Sequence, residues 1–239
     1  MKTVKKLMVT ALFLGLFVLP SYATWSIVIV DPKTKEIGIA GASCTYSVYG
    51  IGAIAPGKGA IVVQAMSSNK ARAKGLEMIR ADVAPGEILK MIRDSKYDPE
   101  EQQYAIVTIK QFKTPVTYTG SLTTAYRGAL TTAGISVQGN TLTDSAELRA
   151  VLNVAIEARK KGLPMQDVLM LALEAGAKLG GDKRCGERKA SSAFLTVARP
   201  DDDPEHPFLN LIVNATDETL NAVQTLRQKF DKQKTGVNK

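Results

Sequence analysis

A threonine becomes a compact catalytic unit when the chain is cut directly before it, because its hydroxyl is a nucleophile and the freed α-amine can serve as the base. Thr24 stands in such a setting. Lys2, Lys5 and Lys6 precede an apolar run over residues 7–19, and Ser21 and Ala23 occupy the two small-residue positions that signal peptidases read. The sequence predicts a signal peptide over residues 1–23 and a mature chain beginning on Thr24. There the α-amine, with a pKa near ~8, accepts the Oγ proton directly or through one water. Oγ attacks an amide carbonyl, backbone N–H groups stabilise the oxyanion, and the same amine then activates water to release the acyl group. The plainer use of Thr24 is to open a strand at a junction compatible with a signal peptide.

The apolar run is shorter than the ~20 residues a bilayer span needs, and no second run is long enough. The expected product is exported to the periplasm or beyond, with no membrane span in the mature form. Removing residues 1–23 takes three lysines and no acids from a net charge of +8, leaving +5. The basic residues are interspersed with acids except in the tail from Lys229, so no nucleic-acid partner is expected.

Other chemistries lack their parts. His206, the one histidine, lies in Asp203-Pro204-Glu205-His206-Pro207 and reads as a solvated loop residue rather than the base of a Ser-His-Asp triad. One histidine and two distant cysteines give no zinc-ligand spacing, and neither a metal nor a cofactor is expected. Gly57-Lys58-Gly59 is a hairpin turn without the spacing of a phosphate loop. Cys44 and Cys185 would meet an oxidising compartment after export. A disulfide and two separate thiols both remain open, since bridging requires Cα atoms within ~7 Å.

The elements that must hold Thr24 follow from pattern. Residues 25–30 form an apolar, β-branched run ending at the turn Asp31-Pro32-Lys33-Thr34-Lys35, and residues 36–43 return. Gly38, Ala40, Gly41 and Ala42 leave that second strand bare enough for another backbone to approach. Residues 51–55 and 60–66 form a second hairpin, and both hairpins are apolar enough to predict a sheet covered on both faces. Ser68 or Asn69 caps a helix running to Ala81, and Pro85 opens another. Strands are predicted over residues 104–109, 116–119 and 134–137. A capping box at Asp144-Ser145-Ala146-Glu147 begins a third helix, and Pro164 begins a fourth that stops at Gly180-Gly181. Strands over residues 190–198 and 208–213 and a helix over residues 217–230 complete the chain. Helices arrive in pairs between groups of strands, which favours two packed sheets between helical layers.

Thr24-Trp25-Ser26-Ile27-Val28, the Asp31-Pro32 turn, Gly38-Ile39-Ala40-Gly41-Ala42-Ser43, Gln64-Ala65, Val137-Gln138-Gly139-Asn140 and Gly180-Gly181-Asp182-Lys183-Arg184 together resemble an uncharacterised bacterial family assigned to the Ntn (N-terminal nucleophile) hydrolase superfamily. The resemblance covers nearly the whole mature chain. It implies an α+β fold, a four-layer αββα sandwich with two mainly antiparallel sheets between helix pairs, over residues 24–215. Residues 216–239 are expected to add a helix and polar tail. Family members that begin Met-Thr would expose the equivalent threonine by losing the methionine. Cys44-Thr45-Tyr46 and Cys185 depart from the family pattern.

Ser43 and Asn140, at strand ends, are candidates to border Thr24 and to orient its amine or donate to the oxyanion; bonding to nearby backbone is their ordinary use. Asp182, Lys183 and Arg184 are candidates for a charged lip that holds the terminal amine or a substrate carboxylate, with Arg184 the bidentate donor. Their alternative is a solvated turn after a glycine cap. The expected activity is hydrolysis of an amide in a small molecule or peptide. The alternatives are a noncatalytic αββα protein that binds an extracytoplasmic peptide or small amide, and a structural protein that forms homo-oligomers through its helices.

Overall fold

The computed structural model describes residues 24–236; the predicted signal peptide lies outside them. Among the described residues, ten strands form two sheets. The larger contains β1 (Thr24–Val30), β2 (Ile37–Ser43), β7 (Gly128–Thr132), β8 (Ile135–Asn140), β9 (Ser192–Ala198) and β10 (Leu209–Val213), in the order β10-β9-β2-β1-β8-β7. The smaller contains β3 (Gly52–Ala55), β4 (Gly59–Ala65), β5 (Gln102–Thr108) and β6 (Val116–Thr119) in sequence order. Neighbouring strands pair antiparallel throughout. The two predicted hairpins thus belong to different sheets rather than to one. Both are covered on each face because the sheets cover one another.

Three apolar layers hold these parts together. On one face of β1, Trp25, Ile27 and Ile29 meet α3 (Glu147–Lys160) and α4 (Met165–Lys178) through Val151, Leu152, Leu169 and Leu173. On the other face, Val28 and Val30 join Ile39, Val62 and Val107 between the sheets. Beyond the smaller sheet, Ile61, Val63 and Ile106 pack on α1 (Asn69–Arg80) and α2 (Pro85–Ile92) through Ile79, Ile88 and Ile92. At ~1.5–3 kcal/mol for each large aliphatic side chain buried, these layers supply the main drive for folding. All seven residues of β1 are buried, which explains why its sequence is apolar on both faces.

Several elements differ from the sequence expectation. Strand β7 and the turn at Gly134 were not predicted, because its small and polar residues give no period-2 signal; β8 also extends to Asn140. The last helix, α5, spans Ala222–Gly236 instead of starting at residue 217. Asp217 accepts from the amide of Thr219 at 3.1 Å in a local turn, and Asn221 Oδ1 accepts from Val223 N at 2.9 Å to begin the helix. Leu226 and Phe230 tie α5 into the same apolar layer as α3 and α4. The capping box does not form: Ala146 precedes α3 without a side-chain cap, and Asp144 instead accepts from Ala146 N at 2.7 Å.

The small residues of β2 admit α4, whose Met165 and Leu169 lie against Gly38. The same helix seats Trp25. The indole Nε1 donates to the Leu173 carbonyl at 3.2 Å, and a Cβ at Gly176 would come within 2.7 Å of Trp25 Cδ1. Alanine at position 176 gains ~1 kcal/mol of helix propensity, against ~1–3 kcal/mol for overpacking a rigid core ring. Gly176→Ala is expected to lower stability by up to about 2 kcal/mol in urea denaturation; increased stability would show that Trp25 is not held at this contact.

Candidate active site

Register brings Thr24 opposite Ser43 on β2 and opposite Asn140 on β8. Because Trp25 turns toward α4, alternation directs Thr24 and Ser26 to the space between the sheets. Thr24 Oγ1 donates to Ser43 Oγ at 3.3 Å, and Thr45 Oγ1 reaches the same oxygen at 3.2 Å. A cleft of about 460 Å³ opens here, lined by Thr24, Thr45, Ser47, Tyr49, Ser67 and Arg72 together with apolar residues including Val48, Ile51 and Met66.

Beneath Thr24 the inter-sheet layer changes from apolar to polar. Gln64 of β4 gives its side-chain amide to the Thr24 carbonyl at 3.3 Å and to Gln103 Oε1 at 2.9 Å, and accepts from Ser26 Oγ at 2.5 Å. Gln138 Nε2 donates to Ser26 Oγ at 2.6 Å, while Asn140 Nδ2 donates to Gln103 Oε1 at 2.8 Å. Gln103 Nε2 donates in turn to the Gly139 carbonyl at 2.9 Å. Ser26, Gln64, Gln103, Gln138 and Asn140 are all buried, and each interrupts or ends an apolar strand. That interruption is the sequence signal for the roles of Gln64, Gln103 and Ser26, which the sequence analysis did not assign. Asn140 borders Thr24, but its amide is committed to Gln103.

The predicted charged triplet divides. Asp182 is fully buried, Lys183 is exposed, and Arg184 folds back onto Asp182 with Nη2 to Oδ2 at 2.7 Å and Nε to Oδ1 at 3.1 Å. Asp182 Oδ2 also accepts from Cys44 N at 2.5 Å. Cys44 follows Ser43, the β2 partner of Thr24, so this carboxylate is held on the backbone next to that partner. Cys44 and Cys185 are paired in a disulfide with Cα atoms 5.5 Å apart, fastening the Asp182 turn to the end of β2. His206 stands exposed in its loop, 3.6 Å from Asp203. Among the described residues no group of three or more metal-ligating side chains forms, and no helix is long and apolar enough to cross a membrane.

Glu147 was expected to cap a helix; instead its carboxyl is fully buried with neither oxygen hydrogen-bonded among the described residues. Burial, and then the charge of Asp182, push its pKa up to about 8, with Asp144 adding to the rise and the Gly181 amide opposing it.

These features define a mixed α+β protein in which a threonine begins a central strand at the mouth of a cleft between two antiparallel sheets. The model of a family of unknown function, DUF1028, matches residues 24–223, and the chain belongs to that family. The match begins on Thr24. The fold is similar to the crystal structure of protein SPO2555 from Silicibacter pomeroyi, also assigned to DUF1028, with a TM-score of 0.73 and 24% identity over 88% of each chain. No curated protein matches the chain.

The Glu147 carboxyl makes a pH prediction. The folded state keeps a proton that the unfolded chain releases near pH 4.5, so the contribution of Glu147 to stability falls as pH rises from there to about 8. The slope is at most ~1.4 kcal/mol per pH unit. Glu147→Gln is expected to be more stable than the parent at pH 8, with the gap closing toward pH 4.5 in urea denaturation. A gap independent of pH would contradict the buried, protonated carboxyl.

Proposed function

We propose that the protein is an exported amidohydrolase of the Ntn superfamily, with Thr24 as nucleophile, its own α-amine as base, and the helix-covered sheet pair as the αββα sandwich of that superfamily. The observation that carries the reading is the position of Thr24: on the central strand β1, lining the inter-sheet cleft, with its hydroxyl on Ser43 Oγ. The signal-peptide pattern ends just before it, the family match begins on it, and the Cys44–Cys185 pair suits an oxidising compartment.

In this mechanism the amine takes the Oγ proton, Oγ bonds to the amide carbon, and the tetrahedral adduct expels the amine leaving group, which receives that proton. Water then adds to the ester, passing a proton to the α-amine, and the acid departs as Thr24 Oγ is protonated again. Asp182, held on the Cys44 amide next to the Ser43 partner of Thr24, is assigned to orient the freed amine. Its pairing with Arg184 offsets its charge, so the amine is not held protonated by an uncompensated carboxylate. Ser43 positions Oγ through their 3.3 Å contact. The underlying amide cluster fixes the Thr24 carbonyl through Gln64.

Turnover of a panel of peptide and small amides, followed as released amine, tests this reading. Thr24→Ala is expected to lose at least about a thousandfold in kcat/KM with its circular dichroism and melting temperature preserved, and Thr24→Ser to keep measurable activity. An alanine variant as active as the parent would remove Thr24 from the chemistry. A parent that binds amides without hydrolysing them would instead favour the noncatalytic binding protein.

A further inference from the structure

The cleft beside Thr24 contains a charge that the hydrolytic steps do not use. Among the described residues lining it, Arg72 alone carries a charged side chain. It rises from the first turn of α1, a turn without an acidic residue, so the positive end of the helix adds to its field rather than cancelling it. Its guanidinium donates through Nη1 to Ser67 Oγ at 3.4 Å and through Nη2 to Asn69 Oδ1 at 2.5 Å. Both acceptors are neutral. No carboxylate pairs with Arg72 among the described residues.

Half-burial of this group is unfavourable, and desolvation holds its pKa below the ordinary guanidinium value with no acidic neighbour to counter it. A guanidinium has five N–H donors in a planar fork, and the two contacts leave the others for a ligand. The rest of the wall supplies aliphatic surface from Val48, Ile51, Ala65 and Met66, and the volume of about 460 Å³ suits a small molecule. A cation of this geometry in such a wall matches the end of a short aliphatic chain bearing a carboxylate.

We infer that the cleft selects amides that carry a carboxylate at the end of a short aliphatic chain, with Arg72 as the specificity-determining residue that clamps it. The inference rests on the reading of Thr24 as the reacting residue, since it makes the carboxylate a handle for an amide placed there. Arg72 is assigned to binding, and the bond-breaking steps are those of Thr24.

Binding and hydrolysis are measured separately so that the two readings can fail independently. The probes are succinamate, glutaramate and adipamate, each paired with its neutral diamide. Affinities are read by calorimetry and ligand-observed NMR on the parent, on Thr24→Ala, which leaves the probes intact, and on Arg72→Gln and Arg72→Lys. At least one acid amide is expected to bind tenfold or more tightly than its diamide in both the parent and Thr24→Ala. The preference is expected to vanish in Arg72→Gln and to recover partly in Arg72→Lys, with melting temperatures confirming that the variants are folded. Equal affinity for both members of each pair, no binding of any probe up to millimolar concentration, or a preference that survives in Arg72→Gln would overturn the inference. Carboxylate-selective binding without ammonia release would leave it standing and count against the hydrolase reading. Ammonia release without charge preference would do the reverse.

Discussion

Buried amides constrain this fold more sharply than its aliphatic core does. Aliphatic layers tolerate small shifts, but a buried amide that loses its partner costs ~1–3 kcal/mol, and Gln64, Gln103 and Asn140 satisfy one another across the sheets, and Gln138 joins them through Ser26. Sliding a strand by one residue would turn these side chains to the opposite face and break the set. The cluster therefore fixes the register of β1 against β8 and of β4 against β5, and it sets the two sheets relative to each other. Thr24 rests directly on it through the Gln64 contact to its carbonyl.

The remaining constraints act on the same end of β1. Trp25 is locked against α4 on one face, so Thr24 must present its hydroxyl to the other. The Cys44–Cys185 pair fastens the Asp182 turn to the end of β2, next to the Ser43 partner of Thr24. Glu147 nearby is buried with no hydrogen bond of normal geometry among the described residues. Burying a carboxyl in this way reduces stability, and together with the charge of Asp182 it raises the Glu147 pKa. The opposite end of the inter-sheet layer is apolar, lined by Val28, Val30, Ile37 and Ile39.

Much of the scaffold was legible in the sequence because it depends on local rules. Pro85 begins α2 at its first position, Ser68 caps α1 through the Ala71 amide, and β-branched runs mark most of the strands. What was not legible depends on tertiary contact. Asp144 and Glu147 have the spacing of a capping box, yet burial drew Glu147 inward and left Asp144 to form the turn alone. The two apolar hairpins gave no sign that they belong to different sheets, because residues buried by a helix and by a second sheet look alike. The strand positions of Ser43 and Asn140 followed from proposed pairing; the commitment of Asn140 to Gln103 did not. Arg72 reads as an ordinary solvated residue of an amphipathic helix until the loop over residues 45–51 is folded beside it.

The account depends on a free amine at Thr24, and the intact mass of the protein recovered from its exported fraction tests this most directly. The predicted mass is that of a chain beginning at Thr24, with a single amine-reactive label mapping to that α-amine after lysines are blocked. A chain beginning at any other residue, or a Thr24 amine that is acylated, would leave the hydroxyl without its base and contradict the account.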